Sequence, residues 1–414
     1  MTARVSIHTL GCKLNQAETD SLKRQFAHCG CEIVDNPDDA DIYILNTCTV
    51  THIADRKSRH LLRLAQRRNP NAFIIATGCY AQRAPDELTR IGGIDMVAGN
   101  EEKPHLLEIM KGMGLVKRRE GDGGHPVLRT RALVKVQDGC NTLCSYCIVP
   151  KVRGRGRSVP ISKVVDEIRA RVKEGYREIV LTGTQIGNYG LDTGETLREL
   201  LEHILLETGV ERLRLTSINP QDVTPALLDL WGDGRLCRHF HLPLQSGSDS
   251  VLSRMRRRYS TSEYETTVRL IRDKVPDVSI TTDIIIGFPG ESDDEFEQSY
   301  LFCERMGFSA IHVFPFSPRP TTSAALMPKR VDGRVKRERS VRMLELGRRS
   351  VRQFREGFSG RTMPVLWERE VDEIWVGLTD NYIRVFARSN EGLNNRLVEA
   401  KLIAGHNEAM WALF

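Results

Sequence analysis

The chain predicts an α/β protein in three parts: an N-terminal parallel α/β sandwich, a central partial (β/α)6 barrel and a small C-terminal all-β barrel. Three observations predict it. Strand-like and helix-like runs alternate over the first hundred residues. They alternate again from Ala132. After about Ser359, short strand-like runs follow one another with only turn residues between them. A chain of 414 residues exceeds one ordinary core, so several domains are expected. The boundaries read are 1–112, a linker at 113–131, 132–357 and 358–414.

In the first part, "RVSIHTL" (Arg4 to Leu10) reads as a strand and "AETDSLKRQFAHCG" as a helix stopped by Gly30. "DIYILNT" (Asp41 to Thr47) is a second strand, and Thr51 to about Arg68 a basic amphipathic helix ended near Pro70. "AFIIATG" (Ala72 to Gly78) and the shorter "IDMVAGN" complete the pattern. Such alternation predicts a parallel sheet. "KGMGLVKRREGDGGHPVLRT" is Gly-rich, charged and aperiodic, and reads as the linker.

In the second part, strands are expected at Ala132 to Gln137, Glu178 to Thr182, Arg212 to Thr216, His239 to Leu242, Ser279 to Ile285 and Ala310 to Pro315. Helices fall between them, among them Ser162 to Glu174, Asp249 to Arg257 and Asp293 to Met306. Six strand–helix units make a partial barrel whose active face lies at the strand C-termini. In the third part, "TMPVLWE", "EIWVGLTD", "YIRVFARS" and "RLVEAKLIAG" are the strand-like runs of a module suited to gripping RNA.

Composition narrows the class. Charged residues make up 28%, and the net charge of +6 is compatible with an RNA partner without requiring one. No run approaches eighteen apolar residues, so no transmembrane helix is expected. The N-terminus lacks a signal-peptide pattern, and a cytoplasmic protein is expected.

The ten cysteines carry the chemistry. In a reducing compartment, metal binding or catalysis is a better reading than disulfides. Cys29, Cys31, Cys237 and Cys303 read as ordinary buried thiols. Cys140, Cys144 and Cys147 stand as C-x3-C-x2-C in "DGCNTLCSYCIVP". A structural zinc site is normally closed by four ligands, and no matching second half lies near this loop. Three thiolates suit three irons of a four-iron cluster, leaving the fourth iron open. Tyr146 is placed to shield it. Cys12, Cys48 and Cys79 each follow a predicted strand. In a parallel sheet those strand ends share one edge, so residues more than thirty apart in sequence should converge.

The loop resembles the signature of the radical S-adenosylmethionine superfamily. With "TLGCKLNQAETD", "NTCTVT", "TGCYAQ", "DGCNTLCSYCIVPKVRGRGRS", "LTGTQIGNYG", "LPLQSGSDSVLSRMRRRYS" and "DIIIGFPGE", the whole chain resembles the methylthiotransferase family. The C-terminal module is similar in position and length to that family's RNA-binding TRAM domain. The resemblance implies two 4Fe-4S clusters and S-adenosylmethionine. Cys140, Cys144 and Cys147 would hold the radical-generating cluster. Cys12, Cys48 and Cys79 would hold a second, whose open iron carries the sulfur to be inserted. A second S-adenosylmethionine would supply the methyl group. The cofactor carries the hard chemistry and the protein positions it.

The same analogy and barrel geometry put cofactor contacts at the strand ends. These are Thr182, Gly183, Thr184 and Gln185, then Ser217, then Gln245 and Ser246, and finally Asp283 with Gly287 and Pro289. Two basic runs, Lys151 to Ser158 and Arg254 to Ser260, offer Arg153, Arg155, Arg157, Arg256 and Arg257 to RNA phosphates. His52, His241 and His312 are acid–base candidates by type, but hydrogen abstraction by a radical needs none, and no catalytic residue is assigned.

The family's substrates are isopentenyl-type adenosine in tRNA, threonylcarbamoyladenosine in tRNA, and an aspartate of a ribosomal protein. "GCKLNQAETD" and "NTCTVT" resemble the threonylcarbamoyladenosine branch. The expected partners are the tRNA anticodon stem-loop, an electron donor such as flavodoxin or ferredoxin, and a sulfur donor. A zinc-stabilised RNA-binding protein would instead be colourless and contain zinc. A pure electron-transfer protein would need complete four-thiolate ligation.

Overall fold

The computed structural model describes residues 2–117, 130–406 and 409–414. The expected linker lies largely outside those residues. Packing divides the chain into two compact units. The first gathers the described parts of Met1–Leu128 with Asp138–Arg155 and Ser317–Ala325. The second gathers the described parts of Arg129–Gln137 with Gly156–Phe316 and Leu326–Phe414. The cysteine loop therefore packs with the N-terminal part, although it follows the first barrel strand in sequence.

The first unit is built on a five-stranded parallel sheet. Its strands are β1 (Arg4–Thr9), β2 (Glu32–Ile33), β3 (Ile42–Thr47), β4 (Phe73–Gly78) and β5 (Met96–Ala98), in the order β2-β1-β3-β4-β5. β3 is buried along its whole length, which is why it reads as a continuous apolar run. β2 was not expected. It is a two-residue edge strand, too short to show a period. The chain reverses direction across the sheet between β1 and β3, and doubly wound sheets place ligands at such a point. The helix after β1 runs Lys13–His28, starting four residues before the expected Ala17 and directly after Cys12. The helix His52–Arg68 is capped by Thr51, whose Oγ1 accepts from the Ala54 N–H at 3.1 Å.

The second unit carries six parallel strands: β6 (Arg131–Lys135), β9 (Glu178–Thr182), β10 (Arg212–Leu215), β11 (His239–His241), β12 (Ser279–Ile286) and β13 (Ala310–Pro315). Short strands β7 (Gln137–Asp138) and β8 (Arg157–Ser158) bracket the cysteine loop in sequence. The six strands form two three-stranded sheets, joined by single parallel bridges at Leu213–Leu236 and Ser217–His241. This is the expected partial barrel. Alternate residues such as Ile179, Leu213, Phe240, Ile284 and Ile311 join one core with the surrounding helices. Three of those helices begin with capping boxes, Thr196/Glu199, Ser260/Glu263 and Ser292/Glu295.

Two larger elements are also absent from the sequence reading. The 24-residue helix Gly333–Glu356 is so rich in arginine that its narrow buried stripe, Met343, Leu346, Gly347 and Ser350, is hard to see. The other is β18 (Ala409–Leu413). It closes the C-terminal barrel made with β14 (Thr362–Val371), β15 (Ile374–Thr379), β16 (Arg384–Ala387) and β17 (Leu397–His406), in the order β14-β15-β16-β18-β17. Within this unit the C-terminal barrel meets the N-terminal ends of the parallel strands. Arg212 Nη1 donates to the Leu378 carbonyl at 2.9 Å and Arg214 Nη1 to that of Asp380 at 2.8 Å. Arg238 pairs with the Asp380 carboxylate at 2.6 Å.

Candidate cluster, cofactor and RNA sites

Cys12, Cys48 and Cys79 follow β1, β3 and β4, as the topology requires. Polar side chains lace those strand ends together. Asn15 Nδ2 donates to the Leu10 carbonyl at 2.8 Å and to that of Thr47 at 3.0 Å, tying the β1 and β3 ends. Thr47 Oγ1 donates to the Thr77 carbonyl at 2.6 Å and accepts from the Tyr80 N–H at 3.2 Å, tying β3 to the turn that holds Cys79. Gly11 lets the first loop come this close. Its φ is +108°, and a Cβ there would stand 2.9 Å from Cys48 Sγ. Cys12 is exposed, while Cys48 and Cys79 are buried. Burial pushes the Cys48 thiol up to about 12, so a thiol held this way becomes thiolate when a cation takes the proton's place.

The second cysteine set lies in the same unit. Gly139, at φ +74°, precedes Cys140, and an added Cβ would run into the Arg155 carbonyl. The Thr142 N–H points at Cys140 Sγ at 3.3 Å, and the Cys147 N–H donates to the Cys144 carbonyl at 3.1 Å. The first of these, an N–H aimed at sulfur, suits a thiolate ligand, and the second holds the turn between Cys144 and Cys147. Directly after the last cysteine, Ile148 and Val152 pack against Cys79. Asn100 Nδ2 bridges the two loops, at 2.7 Å from the Val152 carbonyl and 3.7 Å from Cys79 Sγ. Each set is three thiols within the one unit, a donor type that suits thiolate-held clusters.

Arg153 corrects an expectation. It was read as an RNA contact, but its side chain is 3% exposed. Its guanidinium donates to Asn15 Oδ1 at 2.5 Å, Glu18 Oε1 at 3.0 Å and Asp138 Oδ1 at 2.8 Å. Lys103 joins Glu18 at 2.6 Å. Burial works against the Arg153 charge, and Cys79, Glu18 and Asp138 together outweigh it. The residue thus backs the cysteines with a fixed positive charge, an arrangement that favours thiolate.

A second buried cation was missed. Arg319 Nη1 donates to the Thr49 carbonyl at 2.9 Å and to Asp55 at 2.8 Å, and Nη2 meets His52 Nδ1 at 2.6 Å. Arg83 closes the group on Thr49 and Asp55. Burial and then Arg319 hold the His52 pKa down, so His52 is a neutral acceptor beside the Cys48 loop. The only sequence signal was "SPRP" just past a strand.

In the second unit, Thr182, Gly183, Thr184 and Gln185 stand at the end of β9. Gln185 N–H donates to Gln137 Oε1 at 2.9 Å. Thr184 Oγ1 and Thr216 Oγ1 are buried without a hydrogen-bond partner among the described residues, which leaves both hydroxyls able to meet a ligand. Ser217 bridges to His241 and Gln245 to Ile284, with Gln245 at φ +72°. Asp283 Oδ2 lies 3.2 Å from His241 Nε2. Three expected contacts are otherwise engaged. The Ser246 hydroxyl is spent on Ser299 Oγ at 2.9 Å. A Cβ on Gly287 would strike the Lys336 side chain, so that glycine makes room for a helix. Pro289 is buried in the same turn.

Among the RNA candidates, Arg155, Arg157 and Arg256 are exposed. Arg257 is turned inward, donating to Asn219 Oδ1 and Tyr259 Oη, each at 2.9 Å, and is corrected to a structural role. The unread helix adds a basic groove of about 940 Å³ against the C-terminal barrel. Arg348, Arg352 and Arg355 line one side, and Arg384 and Tyr382 the other.

The radical SAM superfamily model matches residues 134–303, and a model described as "Uncharacterized protein family UPF0004" matches residues 4–99. The chain is 39% identical to the threonylcarbamoyladenosine tRNA methylthiotransferase of Aquifex aeolicus, covering 92% of this chain and 96% of the relative. It is 36% identical to the Bacillus subtilis protein of that name, covering 97% and 94%. It is also 36% identical to a tRNA-2-methylthio-N(6)-dimethylallyladenosine synthase of Syntrophotalea carbinolica, covering 87% of each. Among solved structures, the radical S-adenosylmethionine methyltransferase TsrM of Kitasatospora setae has the same fold. Its TM-score is 0.58 at 16% identity, covering 78% of this chain and 77% of that one. No helix among the described residues is long and apolar enough to cross a membrane.

Proposed function

This chain belongs to the methylthiotransferase family, and we propose that it is the tRNA enzyme that converts N6-threonylcarbamoyladenosine, next to the anticodon at position 37, to its 2-methylthio derivative. The radical S-adenosylmethionine segment implies a four-iron cluster and S-adenosylmethionine. We read Cys140, Cys144 and Cys147 as its ligands, and Cys12, Cys48 and Cys79 as ligands of a second cluster. When bound, these groups supply the radical that opens the C2–H bond, together with the sulfur and the methyl group.

The observation that carries the reading is the packing of Ile148 and Val152 on Cys79 within one compact unit. Sulfur transfer to a carbon radical needs two neighbouring cofactors, and a protein of this kind must hold them in fixed relation. Asn15, Thr47 and Asn100 fix the loops. Arg153 and Arg319 hold charge behind them. Thr182, Thr184, Gln185, Ser217 and Gln245 are our candidates for binding and orienting S-adenosylmethionine, while Asp283 is engaged with His241. Arg155, Arg157 and Arg256, with the groove at Arg348 and Arg352, would hold the tRNA backbone, a job that needs charge and no base reading. Such an enzyme works in the cytoplasm, with a one-electron donor of the flavodoxin or ferredoxin type and a source of sulfur.

Nucleoside mass spectrometry of tRNA from cells with and without the gene tests the reading. The methylthio-threonylcarbamoyl nucleoside should vanish from the deletion strain while its precursor accumulates. An unchanged nucleoside would turn the search to dimethylallyl-type adenosines and the ribosomal protein.

A further inference from the structure

The interior of the six-stranded barrel is the wrong chemistry for a packed core. Barrels of this class fill their centres with branched apolar side chains. Here the positions that alternate with the helix-facing core include Arg131, Glu178, Arg212, Arg214, His239 and His241, followed by Thr281, Asp283 and His312, with Leu133, Val180 and Ile285 as apolar members among them. Their strand neighbours Ala132, Ile179, Leu213, Phe240, Ile280, Ile284 and Ile311 all belong to the outer core. Where a run of interior positions breaks the local rule together, function is the expected reason.

The interior has two levels. At the N-terminal ends of the strands, Glu178 meets Arg214 at 2.7 Å and Arg212 at 3.1 Å, and the C-terminal barrel seals them off. Two guanidiniums share one carboxylate there, and both also donate to carbonyls of the C-terminal barrel. Further along the strands, His241, Asp283 and His312 present side-chain atoms within 4.8 Å of one another, and the group is partly open to solvent. His241 Nδ1 is fixed on Thr281 Oγ1 at 2.8 Å, which turns Nε2 to Asp283. The Thr216 hydroxyl, directly after β10, is buried without a partner among the described residues.

We propose that this group receives the threonylcarbamoyl side chain of the substrate base, with its carboxylate directed to His312 and its hydroxyl and urea groups to Asp283 and Thr216. The inference rests on the proposed function and names the residues that choose the branch. A dimethylallyl group has no polar atoms. Docked on this wall, it would strip water from two histidines, an aspartate and a threonine and return no hydrogen bond. Sites built to pair polar groups reject ligands lacking them by large factors.

The test is a cycle between protein and substrate. RNA hairpins carry either the threonylcarbamoyl base or the same base with its carboxylate as a neutral amide. KM and kcat are measured separately for the wild type, His312→Ala and Asp283→Asn. In the wild type the amide should raise KM by about tenfold or more, and in His312→Ala by no more than about twofold. Asp283→Asn should raise KM for both hairpins and keep the preference between them. If His312→Ala discriminates against the amide as strongly as the wild type, this inference falls while the proposed function stands. A wild-type enzyme that ignores the threonylcarbamoyl hairpin and modifies a dimethylallyl one would overturn both.

Discussion

The cysteine unit and the barrel interior both bury charge, in opposite ways. Around the cysteines, Arg153 and Arg319 are saturated by carboxylates and carbonyls, and the thiols are fixed at strand ends with little freedom. In the barrel, the sealed level is likewise paired with a carboxylate and carbonyls, but the open level at His241, Asp283 and His312 keeps partly exposed polar groups. A group that must be held through many turnovers wants a rigid cradle. A substrate that must enter and leave wants polar groups still able to exchange water for ligand.

The largest expected effects separate the two cysteine sets. Replacing Cys140, Cys144 and Cys147 with Ala should abolish S-adenosylmethionine cleavage and methylthiolation together. Replacing Cys12, Cys48 and Cys79 should abolish methylthiolation while 5′-deoxyadenosine still forms, and iron content should fall by about half in either case. Loss of both activities from the second replacement would mean that the two sets do not have distinct roles.

Next come the buried charges. Arg153→Met removes the guanidinium shared by Glu18 and Asp138, leaving Glu18 to Lys103 and Asp138 to the Gly139 N–H, and Glu178→Gln strands Arg212 and Arg214. Removing one partner of a buried pair costs about 3–5 kcal/mol, read as a lower urea midpoint. If the cysteine unit is the stiffer cradle, Arg153→Met should also lose iron, and Glu178→Gln should not. A Glu178→Gln protein that also loses iron would break that distinction.

A smaller effect is expected at the surface. Arg348→Glu with Arg352→Glu should weaken tRNA binding and flatten its salt dependence by about two contacts' worth. Unchanged binding would remove the groove from the RNA path and leave that role to Arg155, Arg157 and Arg256.

What the sequence revealed follows from the range of the forces involved. Period and turn chemistry are local, so all six parallel barrel strands and the strand-end position of Cys12, Cys48 and Cys79 were legible. C-x3-C-x2-C is local too. Arg153 was misread because its partners, Glu18 and Asn15, lie 135 and 138 residues away, and nothing near it in sequence separates a buried arginine from a solvated one. Arg319 pairs with residues more than 260 positions back. His241 and His312 were noticed by type but left without a role. Only the register of β11, β12 and β13 brings them to Asp283.

The smallest predicted effect tests whether burial or pairing alone sets the size of these costs. Glu178 and Glu295 are both held down at about 2, Glu178 against its burial by Arg214 and Arg212, and Glu295 first by its bonds to Arg254. Glu295 sits on the helix Asp293–Met306, 2.7 Å from an Arg254 that is 33% exposed, and its carboxylate also accepts from the Ser292 N–H at 3.0 Å. In both cases the folded pKa lies below the unfolded value near 4.3. The stabilisation is therefore complete above about pH 5 and lost as pH falls toward 2. The window is shared, but the depth should differ. Solvent screens the Arg254 pair, and a lost cap contact adds little, so Glu295→Gln should cost about 1 kcal/mol at pH 7. The variant and the wild type should converge in urea midpoint as pH falls to about 2 and below, where the wild-type carboxylate of the folded state itself becomes neutral. A Glu295→Gln cost as large as that of Glu178→Gln would mean that pairing, and not burial, sets the scale.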